Sequence, residues 1–371
     1  MIGIRSIRDT FCAVPTLIIA VSIAMGITEV PDGKLILVIL IIPATIAWRG
    51  CNGPIGPWIL VFGAALGAFV VLNAVHHQPL IGRSNAGLWV FTLGIWALAW
   101  RGIDGIARYS SLIAWRQRLA DMVVPIAFGL WFLFLWETIV VGLGVPQVLL
   151  PPPSMIGVKF AASLTILWAD FVQTFMKAVI SGYVLGCGSG FIVAVLIDRL
   201  PFMQRGLMPI GNMASALPIV GVAPIMVMWC GFDGPSKSAV VVIMTFFPML
   251  VNARAGLGAA GRLEEELLAS YGATYWQTLF RLRIPASLPF VFNALKINST
   301  LAMIGAIVAE FFGTPIVGMG FRISTEVGRM NVDMVWAEIL VAAVAGSLFY
   351  GAMALLERYF TFWHPSYRKK T

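Results

Sequence analysis

The chain has 371 residues, of which 59% are hydrophobic and 11% charged, with a formal net charge of +8. A soluble domain carries about 25% charged residues to cover its surface, so this composition excludes an ordinary soluble globule and points to a lipid environment. Nor is the basic excess a nucleic-acid surface, since the Lys and Arg residues fall in short clusters between apolar runs and form no continuous patch with interleaved aromatics.

Apolar runs of spanning or nearly spanning length occur at 11–30, 34–48, 57–75, 86–100, 122–142, 173–197, 207–230, 238–253, 289–312 and 335–357. They predict ten transmembrane helices in an all-α integral membrane protein. The first run follows Arg5 and Arg8 as a secretory signal would, but it is long enough to span and no convincing small-residue cleavage site follows, so it reads as a retained span. The runs at 34–48 and 86–100 are short: about 15 residues cross the hydrocarbon core only with bilayer thinning or extra flanking residues. Counting basic residues outside the spans gives 17 on the N-terminal side of the membrane and six on the other, which predicts cytoplasmic termini.

Several residues within or beside the runs need a reading. The four cysteines, Cys12, Cys51, Cys187 and Cys230, are scattered without a CxxC pair and read as small hydrophobes. His76 and His77 sit at an expected loop without a third metal ligand nearby. Glu137 and Lys177 lie near span ends, where a charge either snorkels or finds a structural partner. Gly182, Gly186 and Gly190 recur on one helix face inside an apolar span and read as a close-packing stripe, not a dinucleotide loop.

Asn212 and Ser215 precede Pro218, and a helix carrying Pro218 and Pro224 must free backbone groups. A broken helix beside a water-filled path would satisfy them, and so would packing against protein. Lys296, Asn298, Ser299, Thr300 and Glu310 share one predicted helix, which either lines the transport pathway or bonds to neighbouring helices. No GxxxxGK[ST] phosphate loop occurs, so any ATP hydrolysis that drives transport comes from a partner.

Two long connections interrupt the spans. An extracytoplasmic one at 143–171 contains Pro151-Pro152-Pro153-Ser154, which is expected to be non-helical and to mark a turn at the membrane surface. The cytoplasmic one, 253–288, opens a short helix at Glu264, Glu265 and Glu266 and closes it near Gly272. A second amphipathic segment, 274–282, places Trp276, Leu279, Phe280 and Arg283 at helical spacing, and Pro285 is expected to end it. A helix–turn–helix of this kind suits docking into a cleft of a soluble partner.

From Glu266 the spacing is Glu-Leu-Leu-x-x-x-Gly272, then nine residues, then Leu282-Arg283-Ile284-Pro285. It resembles the EAA signature, Glu-Ala-Ala-x3-Gly-x9-Ile-x-Leu-Pro, of binding-protein-dependent ABC importer permeases. Leu267 and Leu268 replace the two alanines and Leu282 the first isoleucine, all apolar for apolar. The segments Pro218-x5-Pro224-x4-Trp229-x-Gly231, Phe246-Phe247-Pro248, Ala309-Glu310 and Gly318-Met319-Gly320 resemble the nitrate/sulfonate/taurine group of these permeases.

The resemblance covers residues 119–371 and implies a type I permease core of about six helices, preceded by an accessory region of about four spans at 1–118. It further implies an ATPase-coupling element comprising Glu265, Glu266, Leu267, Leu268, Tyr271, Gly272, Ala273, Trp276 and Pro285; the polar residues Asn212, Ser215, Lys296, Asn298, Ser299 and Glu310 are the candidates for the transport pathway, with helix–helix bonding as their alternative role. The implied machine contains two permease copies, a cytoplasmic ATPase dimer and a periplasmic solute-binding protein in a bacterial inner membrane. ATP and magnesium belong to the ATPase, and the permease binds no cofactor and does no chemistry. The solute is a small anion or a pyrimidine-like or aromatic molecule. An ion-gradient-driven transporter or channel is the alternative, and it would be favoured by inverted repeats and paired buried acids. A membrane-embedded enzyme would need a convergent nucleophile, base or metal set within the spans.

Overall fold

The computed structural model describes residues 56–76, 86–108, 114–214, 218–232, 234–313 and 316–363, and the regular structure among them is all helical. Seven of its helical segments are long and apolar enough to cross a membrane. The expected spans at 11–30 and 34–48 lie outside the described residues. The chain divides into two compact units, Met1–Ile156 and Gly157–Thr371.

In the first unit, α1 (Gly56–His76), α2 (Ala86–Ala107) and α3 (Ala114–Gly142) pack together. Leu60, Val71, Val75, Phe91, Ile95 and Leu98 form the core, to which α3 adds Phe134. The backbones of α1 and α2 approach closely because Gly67 lies against Ile95 and Gly102 against Val61. The outward faces carry exposed Phe62, Phe69, Trp100, Phe128 and Phe132, which suits lipid and would be costly in water. The short run at 86–100 continues as helix to Ala107, 22 residues in all, so α2 reaches about 33 Å and spans without thinning.

Next, α4 (Pro153–Ala162) corrects one expectation, because Pro153 and Ser154 are helical. The first helical position makes no use of the missing proline N–H, and its fixed φ is already helical. Only Pro151 and Pro152 remain outside regular structure.

The second unit begins with α5 (Leu164–Phe171), which runs through a π-wound stretch, Val172–Val179, into α6 (Ile180–Arg199) as one continuous 36-residue segment. Most of the expected surface connection at 143–171 is therefore helix, in α4 and α5. The expected single span at 207–230 is two shorter helices, α7 (Pro201–Ala214) and α8 (Ile219–Cys230). Pro218 caps α8 in an extended conformation, and Pro224 is carried within α8.

The remaining helices are α9 (Gly234–Leu257), α10 (Arg262–Ser270), α11 (Tyr275–Thr278), α12 (Ile284–Phe312), α13 (Met319–Gly328) and α14 (Val332–Phe360), with a π turn at Leu279–Arg283. This π turn overturns the expectation that Pro285 ends a helix: α11 passes through it into α12 and the helical path runs from Tyr275 to Phe312. A π turn shifts the hydrogen-bond ladder by one residue, which accommodates a position that has no N–H to give.

The centre of this unit is α9, sandwiched between α6 and α12. A Cβ at Gly182 would strike Val241, one at Gly186 would strike Thr245, and one at Gly190 would strike the Phe246 carbonyl. The glycine stripe is therefore the surface on which α6 meets α9, as its spacing predicts. Val179, Tyr183, Cys187, Val241, Leu250, Ala294, Ala302 and Ala306 fill the core around it.

Candidate functional site

The loop between α9 and α12 is built from two short helices with matched caps. Gly272 has φ +73°, its N–H donates to the Ala269 carbonyl at 2.9 Å, and the Ala273 N–H donates to Leu268 at 3.0 Å. These two bonds close α10 in a Schellman motif, whose left-handed position glycine fills without a Cβ penalty. Thr274 then opens α11 with a capping box: its N–H donates to Gln277 Oε1 at 2.8 Å and its hydroxyl accepts from the Gln277 N–H at 3.4 Å.

The turn presents apolar side chains that the described residues leave exposed. Leu263, Leu267, Tyr271, Trp276 and Phe280 are each at least half exposed, and α10 buries no residue. Leu268 and Ala273 are half-buried, and Glu266 is exposed, with Arg262 at 3.9 Å. Pro285 sits in the first turn of α12.

At its base the loop is tied to the spans by a residue that the sequence reading missed. Asp198, in the last turn of α6, is 1% exposed and receives Arg283 Nη1 at 2.6 Å and Nη2 at 3.0 Å. Arg254 of α9 approaches it at 3.5 Å, and the Tyr275 hydroxyl donates to it at 3.2 Å. Arg283 also donates through Nε to the Leu257 carbonyl and pairs with Glu265 at 3.2 Å. Arg199 lies over the rings of Tyr275 and Trp276, at 5.5 and 5.7 Å. A force on the tip thus reaches α6, α9 and α12 through one fork of charge-assisted bonds.

Among the described side chains of the expected pathway, Lys296, Asn298, Ser299 and Glu310 each have partners of their own. Lys296 pairs with Glu357 of α14 at 2.6 Å. Asn298 is fully buried, its amide donating to the Thr245 carbonyl of α9 at 2.8 Å and reaching Cys187 Sγ of α6 at 3.2 Å. Ser299 is buried and bonds back to the Lys296 carbonyl. Asn212 lies on α7, and Ser215 lies outside the described residues.

Glu310 is instead part of a buried ionic cluster at the end of the unit opposite the loop. Its carboxylate accepts from Thr174 Oγ1 at 2.9 Å and from the Gly320 N–H at 2.8 Å. Asp170 of α5 accepts from the Gly318 N–H at 2.7 Å and from Arg322 Nε at 2.8 Å. Thr174 accepts from the Met319 N–H, and Lys237 and Glu338 are fully buried beside these groups. A Cβ at Gly320 would strike the Ile307 carbonyl, which explains the glycine there. One continuous helix carries Asp170 near one end and Asp198 at the other, about 42 Å apart at helical rise.

In the first unit, Glu137 is buried and accepts from the Ser154 N–H at 2.9 Å and hydroxyl at 2.6 Å, with His76 Nε2 at 3.0 Å. Lys177, by contrast, is exposed and bonds to Gln173 one turn away.

A polytopic helical unit with a capped, outward-facing helix–turn–helix anchored to its spans has the build of a transport permease with an external partner. The profile of the family described as "Binding-protein-dependent transport system inner membrane component" matches residues 182–361. The formylaminopyrimidine transport permease ThiX of Halalkalibacterium halodurans is 30% identical over 247 residues, 67% of this chain and 98% of that protein. The riboflavin transport system permease RibX of Chloroflexus aurantiacus is 28% identical over 66% of this chain and 90% of its own length. The taurine transport system permease TauC of Escherichia coli is 24% identical over 69% of this chain and 95% of its own.

The chain belongs to the binding-protein-dependent transport system inner membrane component family. Within it, the chain is an ABC importer permease of the sulfonate/taurine/nitrate group, a multi-pass subunit for small solutes.

Proposed function

We propose that this permease moves a small solute, delivered by a periplasmic binding protein, into the bacterial cytoplasm, and that a separate ATPase drives it. Two copies line the path, with both termini and the α10–α11 loop on the cytoplasmic side of the inner membrane. The helices α10 and α11 seat in a cleft of the ATPase, and closure of the ATPase dimer on ATP and magnesium pulls the loop. Asp198, Arg254 and Arg283 pass that displacement to α6, α9 and α12, biasing the bundle between outward- and inward-open arrangements. The observation that carries this reading is the exposed apolar tip on a rigid, doubly capped turn whose base is fixed to three spans.

The solute class follows the relatives: pyrimidine-like, flavin-like or sulfonated small molecules. The test is co-purification of the ATPase with the full-length permease carrying Leu267→Ser and Tyr271→Ser. Both side chains are exposed and outside the membrane in this reading, so insertion is unaffected and the ATPase is lost. Its retention at wild-type occupancy would overturn the docking role.

A gradient-driven transporter is the second reading, and the buried carboxyls of Asp170, Glu310 and Glu338 are the observation in its favour. Uptake that persists in vesicles lacking the ATPase, with an ion gradient imposed, decides for it.

A further inference from the structure

The turn that joins α13 to α14 holds a strained backbone position. Met330 has φ +61°, the one positive value on a residue other than glycine among the described residues. Its N–H donates to the Val327 carbonyl at 3.1 Å and the Asn331 N–H to the Glu326 carbonyl at 2.9 Å. The turn is thus a Schellman motif with methionine in the left-handed place that glycine usually takes. Glu326 is buried and fixes the turn from below: Asn331 Nδ2 donates to it at 2.7 Å and Arg329 Nη1 at 3.3 Å. A side chain in this conformation crowds its own carbonyl, and such strain persists only where the surrounding structure enforces it.

Burial does not offset the strain. The Met330 side chain is 67% exposed and that of Val327, three residues before it, 55%. Gly328, Arg329 and Asn331 around them are exposed too. A flexible apolar knob with a polar rim is the anatomy of a protein contact, where methionine is enriched. The patch is small: two apolar side chains do not hold a permanent subunit, and they suit a partner that arrives and leaves. The base of α13 is bound more firmly than its tip. The N–H groups of Gly318, Met319 and Gly320 donate to Asp170, Thr174 and Glu310 at 2.7, 2.8 and 2.8 Å, and Arg322 Nε donates to Asp170 at 2.8 Å. Asp170 and Thr174 belong to the 36-residue segment that ends at Arg199, beside Asp198, so a push on the tip is delivered to that helix.

We propose that the α13–α14 turn is the contact surface for the periplasmic solute-binding protein, with Met330 as the side chain that enters it. This rests on the reading above, in which the end opposite the α10–α11 loop faces the periplasm. Two exposed turns then receive the two partners at the two ends of one helix: the ATPase acts through Asp198 and the binding protein through Asp170. Met330→Gly relaxes the backbone and removes the knob at once. Its two effects therefore run in opposite directions, toward a more stable free permease and a weaker contact.

The test uses the full-length permease with its ATPase in lipid nanodiscs, titrated with the partner binding protein purified from native cells with its solute bound. Two quantities are read: the melting midpoint of the permease, and the binding-protein concentration that half-maximally stimulates ATPase activity. Met330→Gly is expected to raise the midpoint and to raise that concentration about tenfold, the effect of truncating one central side chain of an interface. Val327→Ser, which leaves the left-handed position alone, is expected to raise the concentration without raising the midpoint. An unchanged concentration in both variants, beside a wild type that responds, overturns this inference and leaves the proposed function standing. A wild type that does not respond overturns the proposed function, and the inference with it. A lower midpoint for Met330→Gly would show the side chain to be a packing element, and loss of pairing between permease copies would put a second copy on the turn; either result overturns the assignment.

Discussion

Gly272 has open space around its Cβ direction, so its constraint is conformational in the free chain: φ +73° is a left-handed position. Gly272→Ala is therefore expected to cost about 1–2 kcal/mol of loop stability, read as earlier proteolysis of the α10–α11 turn with the spans intact. Asp198 is the more consequential residue. Asp198→Asn leaves Arg283 and Arg254 less than one-fifth exposed without their carboxylate, and breaking a buried ion pair from one side costs about 3–5 kcal/mol. The expected outcome is a lower melting midpoint and ATPase activity that no longer responds to solute; a variant with wild-type coupling would remove Asp198 from the transmission path. The glutamate, glycine and proline of the loop were legible because they lie within 20 residues of one another at fixed spacing. Asp198 was not, because an acid beside Arg199 at a span end looks like an interfacial pair until the fold brings Arg254 and Arg283 to it. Asp170 and Glu338 were missed for the same reason: their partners come from other helices.

Among the elements, the α6–α9 contact is the one that sequence spacing described in full, since three glycines four apart specify a face and the structure fills it with α9. Gly186→Leu is expected to overpack this contact by roughly 1–3 kcal/mol or more, because Thr245 and the Val242 backbone cannot both give way. Gly188→Leu, whose Cβ direction is open, is the control, and the comparison is read as the difference in melting midpoint. Equal midpoints would mean that α6 and α9 do not meet here. Proline positions were read less well. Pro218 caps a helix and Pro153 sits in a first turn, where the missing N–H is harmless, whereas Pro285 follows a π turn inside a continuing helical path. Sequence alone did not separate these cases, because the distinction depends on where each helix begins, and π winding hides that point at Leu279–Arg283.

For the whole molecule, two expectations concern parts and orientation. Residues 1–118 are proposed to be an accessory bundle that is dispensable for ATPase binding. The relatives cover about two thirds of this chain and nearly all of their own length, which supports a permease that is complete without it. A fragment starting near Arg116 is expected to insert and to retain the ATPase, at lower thermal stability because α3 loses the cover of α1 and α2 around Phe134. Loss of the ATPase from a correctly inserted fragment would contradict this. A cysteine at Gln277, exposed on the turn, is expected to resist an impermeant thiol reagent in intact cells and to react once the membrane is opened.

The central claim is that the α10–α11 turn couples ATP hydrolysis to movement through the spans. Its most direct measurement is solute uptake and solute-stimulated ATPase activity in proteoliposomes that contain the permease, its ATPase and its binding protein, with Gly272→Trp set against wild type. The bulky ring adds a clash at the docking surface to the left-handed strain, together roughly 1–3 kcal/mol, so the ATPase is expected to bind about one to two orders of magnitude more weakly and uptake to fall with it, while insertion stays normal. Full uptake by Gly272→Trp at normal ATPase occupancy would contradict the account.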